Sequence, residues 1–548
     1  MKRRTVIKGL AGALPALWIS KAMGNGLAEI AAPGEPVAKG PFKASWESLK
    51  QYTVPDWYRN AKFGIWAHWG PQCQPEHGDW YARGMYEEGG WQYNFHVKEY
   101  GHPSKSGFKE VIREWKAENW NPEELVALYK KAGAQYFVAM ANHHDNFDNY
   151  NSKYHPWNST KLGPKKDIIG GWEKAARSQG LPFGVSVHAA HAWTFYETAQ
   201  GADKNGPLAG VPYDGKLTKA DGKGTWWEGL DPQVLYAQSH VPGSRDIGKV
   251  WDWDATKGCT VPDKAYCEQF FNRTMDLINK YGPDLVYFDD TALPLWPISD
   301  AGLRIAAHLY NSSIKKHGKL EAVLNGKILN EEQRKCMVWD IERGQSNEIE
   351  PFVWQTDTCI GSWHYDRGIY NDRRYKTAGT VIHTLADVVS KNGNLLLNIP
   401  VRGDGTIDSE ERNIVAGITA WMDINKEAIY DTRPWKIFGE GPAVESVAPL
   451  SGPGFNEGKG KPMGAEDIRF TVKGDALYCI VMGWPENGEV NIRSLSSGSG
   501  HYPGRIGQVE LLGGSKSLQV ERGDKGLLVK LPEQKLNTAA LVLKVLPA

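Results

Sequence analysis

The chain has 548 residues, too many for one small domain, so two folded units are the expectation. Hydrophobic residues at 41% and charged residues at 23% are those of a globular protein, which excludes a disordered chain. The 64 basic and 64 acidic residues cancel, which excludes an overall field that would steer nucleic acid or an anionic membrane.

Tryptophan, present 23 times, outnumbers phenylalanine at 15. An indole joins a flat apolar face to one N–H and suits either a packed core or the C–H face and hydroxyl rim of a sugar. The six cysteines (Cys73, Cys259, Cys267, Cys336, Cys359, Cys479) form no CxxC pair, so a zinc ribbon is not expected and isolated disulfides stay open.

The chain starts MKRRTVIKGLAGALPALWIS, with Arg3-Arg4, an apolar run from about Leu10 to Ile19, and then an Ala/Gly-rich exit. The run is too short to span a bilayer. The order predicts a twin-arginine export signal, and with it a bacterial protein delivered folded to the periplasm or outside. Residues 1–40 are therefore read as signal and linker. No other segment approaches a membrane span.

From 41 to 435 short apolar runs alternate with amphipathic ones. Strands are predicted at 62–67, 135–141, 182–188, 284–289, 321–325, 336–340 and 394–399. One helix starts at Asn121-Pro122-Glu123-Glu124, a cap, a proline at the first position and acids in the first turn. Others are expected at about 262–281, 300–317, 376–391 and 408–428. Buried strands alternating with helices predict parallel βα units, and this many of them an α/β fold of the (β/α)8-like TIM-barrel type. No Gly-x-Gly-x-x-Gly follows the first strand, which argues against a dinucleotide fold. The segment 190–262 is expected to be a loop insertion shaping the barrel mouth. From 436 to 548 Gly/Pro-rich loops separate short alternating strands, which predicts an all-β C-terminal sandwich.

In a barrel the chemistry belongs at the C-terminal ends of the strands. Those ends carry His68, then His143-His144-Asp145, then His188 and His191, then Asp289-Asp290, then Asp340 and Glu342. Two chemistries fit: a metal site built from the histidines, or glycoside hydrolysis by a carboxylate pair with histidines bonding sugar hydroxyls. Adjacent histidines on a strand point to opposite faces, which argues against both binding one ion.

The stretches AKFGIWAHWGP, GDWYARGMY, ANHHDNFDNYNSKYHPWNS, GPKKDIIGGW, PFGVSVH, YGPDLVYFDD and VVSKNGNLLLNIPVRGDGTI occur in that order. As an ordered set they resemble the retaining α-L-fucosidases of glycoside hydrolase family 29, over roughly 50–430, and that family also carries a C-terminal sandwich. The resemblance implies that His68, His143 and His144 contact fucose hydroxyls, and that Trp80 and Tyr81, after Asp79 in place of the family's Glu, shape the pocket. It implies Asp289 as nucleophile, ahead of Asp290, with Tyr287 where the family has a pocket tryptophan. The acid/base it implies is Glu342, with Glu348 and then Glu350 as fallbacks. Gln355, Lys327, Asn142 and Asn146 depart from the family's wording. The two asparagines mark where substrate preference is expected to reside.

The expected activity is exo-hydrolysis of terminal α-L-fucosides with retention, on a fucosylated glycan, with no metal or organic cofactor and no nucleic-acid partner. The rivals are the same fold acting on α-L-galactosides or sulfated fucosides, a non-catalytic carbohydrate-binding protein, and a metallohydrolase.

Overall fold

The computed structural model describes residues 34–243, 253–445, 448–450, 454–514 and 517–548. The export signal, expected within 1–40, falls almost wholly outside them. Residues 37 to 548 form one compact unit.

Eight parallel strands close into a barrel: β1 Phe63–Ala67, β2 Tyr136–Asn142, β3 Phe183–Val187, β4 Leu285–Phe288, β5 Val323–Gly326, β6 Val338–Glu342, β7 Trp354–Cys359 and β8 Gly393–Asn398. Each pairs with the next, and β8 returns to β1 through Phe63 opposite Leu395. Strands covered on both faces have no polar side to show, which is why seven of them read as apolar runs. β7 does not. Its WQTDTC is wholly buried yet carries four polar side chains: Gln355 and Asp357 meet Asp340 and Tyr287 inside the barrel, while Thr356 donates to Ile341 O and Thr358 to Glu457 on the opposite face. Gln355 accepts from the hydroxyls of Tyr58 (2.8 Å) and Tyr136 (3.2 Å) and donates to Asp340 (2.7 Å). β6 runs two residues beyond its apolar stretch, so Glu342 sits on the strand itself.

The predicted helices are present as Pro122–Lys131, Lys264–Tyr281, Ala301–His317, Ala378–Ser390 and Ser409–Asn425. The Asn121 side chain accepts from Glu124 N, as the cap signal implies. Lys264–Tyr281 and Ala301–His317 end on Gly282 and Gly318, both left-handed, where a glycine adds no Cβ clash.

The described part of 190–262 is more than a loop. It holds short helical turns around Asp214, whose buried carboxylate accepts from Tyr86 (2.7 Å), Lys109 (2.9 Å) and Tyr236 (2.5 Å). Satisfying a buried charge from three sides fixes the insertion against the wall of the barrel mouth.

The C-terminal strands are β9 Arg433–Glu440, β10 Ile468–Lys473, β11 Ala476–Val481, β12 Glu489–Ile492, β13 Ile506–Leu511, β14 Val520–Gly523, β15 Gly526–Lys530 and β16 Leu541–Pro547. They form an antiparallel five-stranded sheet in the order β13-β16-β11-β10-β9 and a three-stranded sheet β12-β15-β14. Period-two alternation on β11 separates two faces. Tyr478 and Ile480 join the barrel's core, whereas Leu477, Cys479 and Val481 meet Ile492, Leu527 and Val529 of the smaller sheet. A buried charge cluster crosses the same junction: Asp387, on the helix Ala378–Ser390, pairs with Lys391 and with Arg469 of β10. All six cysteines are buried, and Cys73, Cys267, Cys336, Cys359 and Cys479 form no disulfide. Among the described residues no helix is long and apolar enough to cross a membrane.

The barrel floor has one close backbone approach. A Cβ on Gly64 would meet the Tyr136 ring at 2.3 Å, across the β1–β2 register that pairs these two residues. Gly64→Ala is therefore expected to destabilise the protein by about 1–3 kcal/mol. A lowered urea midpoint would show it; an unchanged midpoint would mean that the ring yields freely.

Candidate active site

The C-terminal ends of the strands surround a cavity of about 270 Å³. Its lining includes His68 after β1, His143 after β2, His188 after β3, Tyr287, Asp289 and Asp290 at β4, Lys327 after β5, Glu342 on β6 and Asp357 on β7. The loop after β7 adds Trp363, and the loop after β1 adds Asp79 and Trp80. These two loops are joined: Gly78 N donates to Tyr365 O, and Arg367 N donates to Glu76 O. His364 Nδ1 lies 2.6 Å from Asp79 Oδ1 across the same seam. Asn398, at the end of β8, accepts from His68 N (3.0 Å) and donates to Trp363 O (2.9 Å), which fixes two walls with one side chain.

Lys327 is the hub. Its Nζ donates to Asp289 Oδ1 at 2.6 Å and to Glu342 Oε2 at 2.5 Å. The two carboxylate oxygens therefore cannot lie further apart than the sum of those distances. That is short of the ~6.5 Å at which a pair begins to admit a water for inversion, and in the range of the ~5–5.5 Å of a retaining pair. On its other oxygen Asp289 meets His188 Nδ1 at 3.1 Å and His144 Nε2 at 3.2 Å.

The surroundings split the pair. Burial favours the neutral acid at Asp289, but the Lys327 charge and the bonds from His144 and His188 outweigh it and hold this carboxyl well below the usual carboxylate range. At Glu342 burial wins: Lys327 pulls the other way, the Asp289 charge adds to burial, and the carboxyl is raised. One carboxyl held down beside one pushed up is the division that a nucleophile and a general acid need. Burial would also strip the proton from Lys327, but the surrounding carboxyls raise it well above its ordinary value, so it stays charged.

The histidines serve as neutral groups. Burial holds His68 and His143 far below the ordinary imidazole range, and His188 is pushed down to about 4 although its bond to Asp289 opposes this. A neutral imidazole offers one donor and one acceptor, which suits a hydroxyl. Neither nitrogen of buried His68 has a protein partner among the described residues. His143 is aimed by Gln72, whose amide meets its Nδ1 at 2.8 Å.

Several expectations change here. β2 ends at Asn142, so His143 and His144 lie in the following turn with rings 4.4 Å apart, and the opposite-faces argument does not apply to them. His143, His144 and His188 offer ring nitrogens within 4.8 Å of one another, and His68, His143 and His364 with a carboxylate oxygen of Asp79 do the same, so either set could hold a metal ion. His144 reaches Asp289 from behind and is not in the cavity lining. Tyr81 is buried with its hydroxyl on His96 Nδ1 (2.8 Å) and does not reach the cavity; Trp80 does. Glu348 and Glu350 lie outside the lining, and Glu350 is occupied by Ser346 and Arg334. Asp290 accepts from His191 (3.0 Å) and its own neighbour Thr291 N (2.6 Å), not from Lys327. Asn142 clamps β2 to β3 by accepting from His188 N and Ala189 N, and Asn146 is bound by Arg273 and two carbonyls, so both are scaffold. The sequence reading missed Asp357, Trp363 and Phe455. β7 carries no apolar signature, and the other two are on irregular segments.

A parallel (β/α)8 barrel whose mouth holds a lysine-bridged, electrostatically split carboxylate pair defines a retaining glycoside hydrolase. The family model described as "Alpha-L-fucosidase" matches residues 30–427, and the "Alpha-L-fucosidase C-terminal domain" model matches 461–546. The chain belongs to the alpha-L-fucosidase family. It is 25% identical over 505 residues to the tissue alpha-L-fucosidase of Macaca fascicularis, covering 90% of this chain and 88% of that protein. The human tissue alpha-L-fucosidase is also 25% identical, over 507 residues, with the same coverages. Among solved structures, the Thermotoga maritima alpha-fucosidase in complex with a mechanism-based inhibitor aligns with a TM-score of 0.66 at 25% identity, covering 92% of this chain and all of that one.

Because Lys327 lowers both carboxyls, its removal has a signed effect. In Lys327→Ala both limbs of the kcat/KM profile are expected to move to higher pH, since Asp289 ionises and Glu342 deprotonates later. Lys327→Arg should shift them less. Limbs that stay in place would show that the lysine does not set the pair.

Proposed function

We propose that the protein is an exo-acting retaining α-L-fucosidase that releases terminal α-L-fucose from a fucosylated glycan by double displacement. The observation that carries this reading is the Asp289–Lys327–Glu342 bridge within a cavity sized for one sugar ring. Asp289 attacks the anomeric carbon while Glu342 gives its proton to the departing oxygen. The fucosyl ester on Asp289 is then cleaved by a water that Glu342, now ionised, deprotonates. His68 and His143 stand as partners for the sugar hydroxyls, with Trp66, Trp80 and Trp363 supplying apolar faces.

Proton NMR of the first product is expected to show α-L-fucose before mutarotation. Asp289→Asn should lose at least about 10³-fold in kcat, the scale of removing a group that acts only in the transition state. Glu342→Gln should lose far more on a glycan than on an activated aryl fucoside, whose leaving group needs little protonation. An inverted product, or Asp289→Asn with full activity, would sink the mechanism. A nitrophenyl α-L-galactoside hydrolysed faster than the fucoside would favour the galactoside reading. The histidine clusters make one further control pertinent: activity is expected to survive dialysis against EDTA, and loss with recovery on adding zinc would revive the metallohydrolase.

The twin-arginine start supports export of the folded chain to the periplasm or outside the cell. Replacing Arg3-Arg4 by Lys-Lys is expected to retain the protein in the cytoplasm; unchanged export would exclude that route.

A further inference from the structure

Two exposed apolar residues stand among the residues lining the cavity, Ile328 at 46% exposure and Phe455 at 39%. Both are held at positive φ, 52° and 46°, where a β-branched or bulky residue is strained. Strain of this kind persists only where the surroundings enforce it, and it gathers at ligand sites.

The enforcement at Phe455 is visible. The connection between β9 and β10 returns to the barrel mouth, and Gly454 forms a parallel bridge with Glu342. Phe455 N donates to Glu342 O at 2.8 Å, and Glu457 N donates to Arg343 O at 2.9 Å. Asn456 clasps Gln345 by accepting from its N (2.8 Å) and donating to its O (3.0 Å). A Cβ on Gly454 would meet Glu342 O at 2.6 Å, so only glycine permits this approach. The Glu457 carboxylate is tied down in turn by Lys376 and Thr358. Ile328 follows Lys327 directly. Both apolar groups thus flank the Lys327–Glu342 side of the cavity, away from the His68 and His143 floor.

The departing oxygen must lie at Glu342, since that carboxyl protonates it, and whatever is attached to that oxygen lies on the same side. We propose that Phe455 and Ile328 form a leaving-group platform that takes the C–H face of a second pyranose ring, so that the connection within the C-terminal sandwich selects which fucosylated sugar is cleaved. The inference rests on the activity proposed above. Aromatic and aliphatic faces exclude water from such a ring without competing for its hydroxyls, which leaves linkage discrimination to its polar edge.

The test compares two substrates that share the fucosyl group: a fucosyl-galactose disaccharide, and α-L-fucosyl fluoride, whose leaving group has no ring. In Phe455→Ala the ratio of kcat/KM for disaccharide to fluoride is expected to fall at least about tenfold, equivalent to about 1.4 kcal/mol. Ile328→Ala should lower it in the same direction, and Phe455→Trp should restore it. A ratio unchanged in Phe455→Ala overturns the platform. So does an equal loss on both substrates, which would mean that the ring only supports Glu342. Wild-type protein inactive on both substrates would instead overturn the proposed activity.

Discussion

A single buried ammonium organises the active site. Lys327 is enclosed by Asp289, Glu342, Asp340 and Asp357, and one positive charge can compensate one negative charge in a medium that screens poorly. The other carboxyls are then pushed upward. Burial does raise all three: Asp340 to about 7, Asp357 well above the carboxylate range with the Asp340 charge adding to burial, and Glu342 upward as well. Asp289 keeps its charge because it alone combines the lysine with two histidines. Asp289 and Glu342 are therefore told apart by their neighbours, not by their side-chain chemistry.

The same scarcity of compensating charge explains the histidines. Several imidazoles packed ring against ring around His143 could not all be cationic. Burial and mutual repulsion keep His68 and His143 neutral, and a neutral imidazole can bond a hydroxyl without disturbing the charge on Asp289. The unmet bonding capacity of His68 is costly in the free protein, and a hydroxyl-bearing ligand would recover it.

How much of this was legible depended on whether a residue's role left a local pattern. Strands buried on both faces announce themselves as apolar runs, and seven of eight did; β7 hides because its buried polar side chains find hydrogen-bond partners on both faces. His68, His143, Asp289 and Glu342 could be found because a strand end delivers each of them to one rim. Lys327 was visible only as a departure in wording, since its meaning lies in two carboxylates from other strands. Asn142 and Asn146 show the opposite error. Residues beside a functional motif looked selective, but their amides are consumed in joining β2 to β3 and in holding Arg273. Tyr81 erred likewise, turning from the cavity toward His96.

The C-terminal sandwich is then more than an appended fold. Alternation along β11 gives it one face for the barrel and one for its own core, and Asp387 fixes β10 to the helix before β8. With β9 and β10 so placed, the stretch Gly454–Glu457 of the connection between them is held at the barrel mouth. It meets β6 by backbone hydrogen bonds at Glu342. A displacement there would move Phe455 and the Glu342 carbonyl together, so that rim of the cavity and the end of β6 keep one geometry. The cavity's histidines and carboxyls come from the barrel, whereas Phe455 on its rim comes from a segment that the barrel sequence alone does not encode.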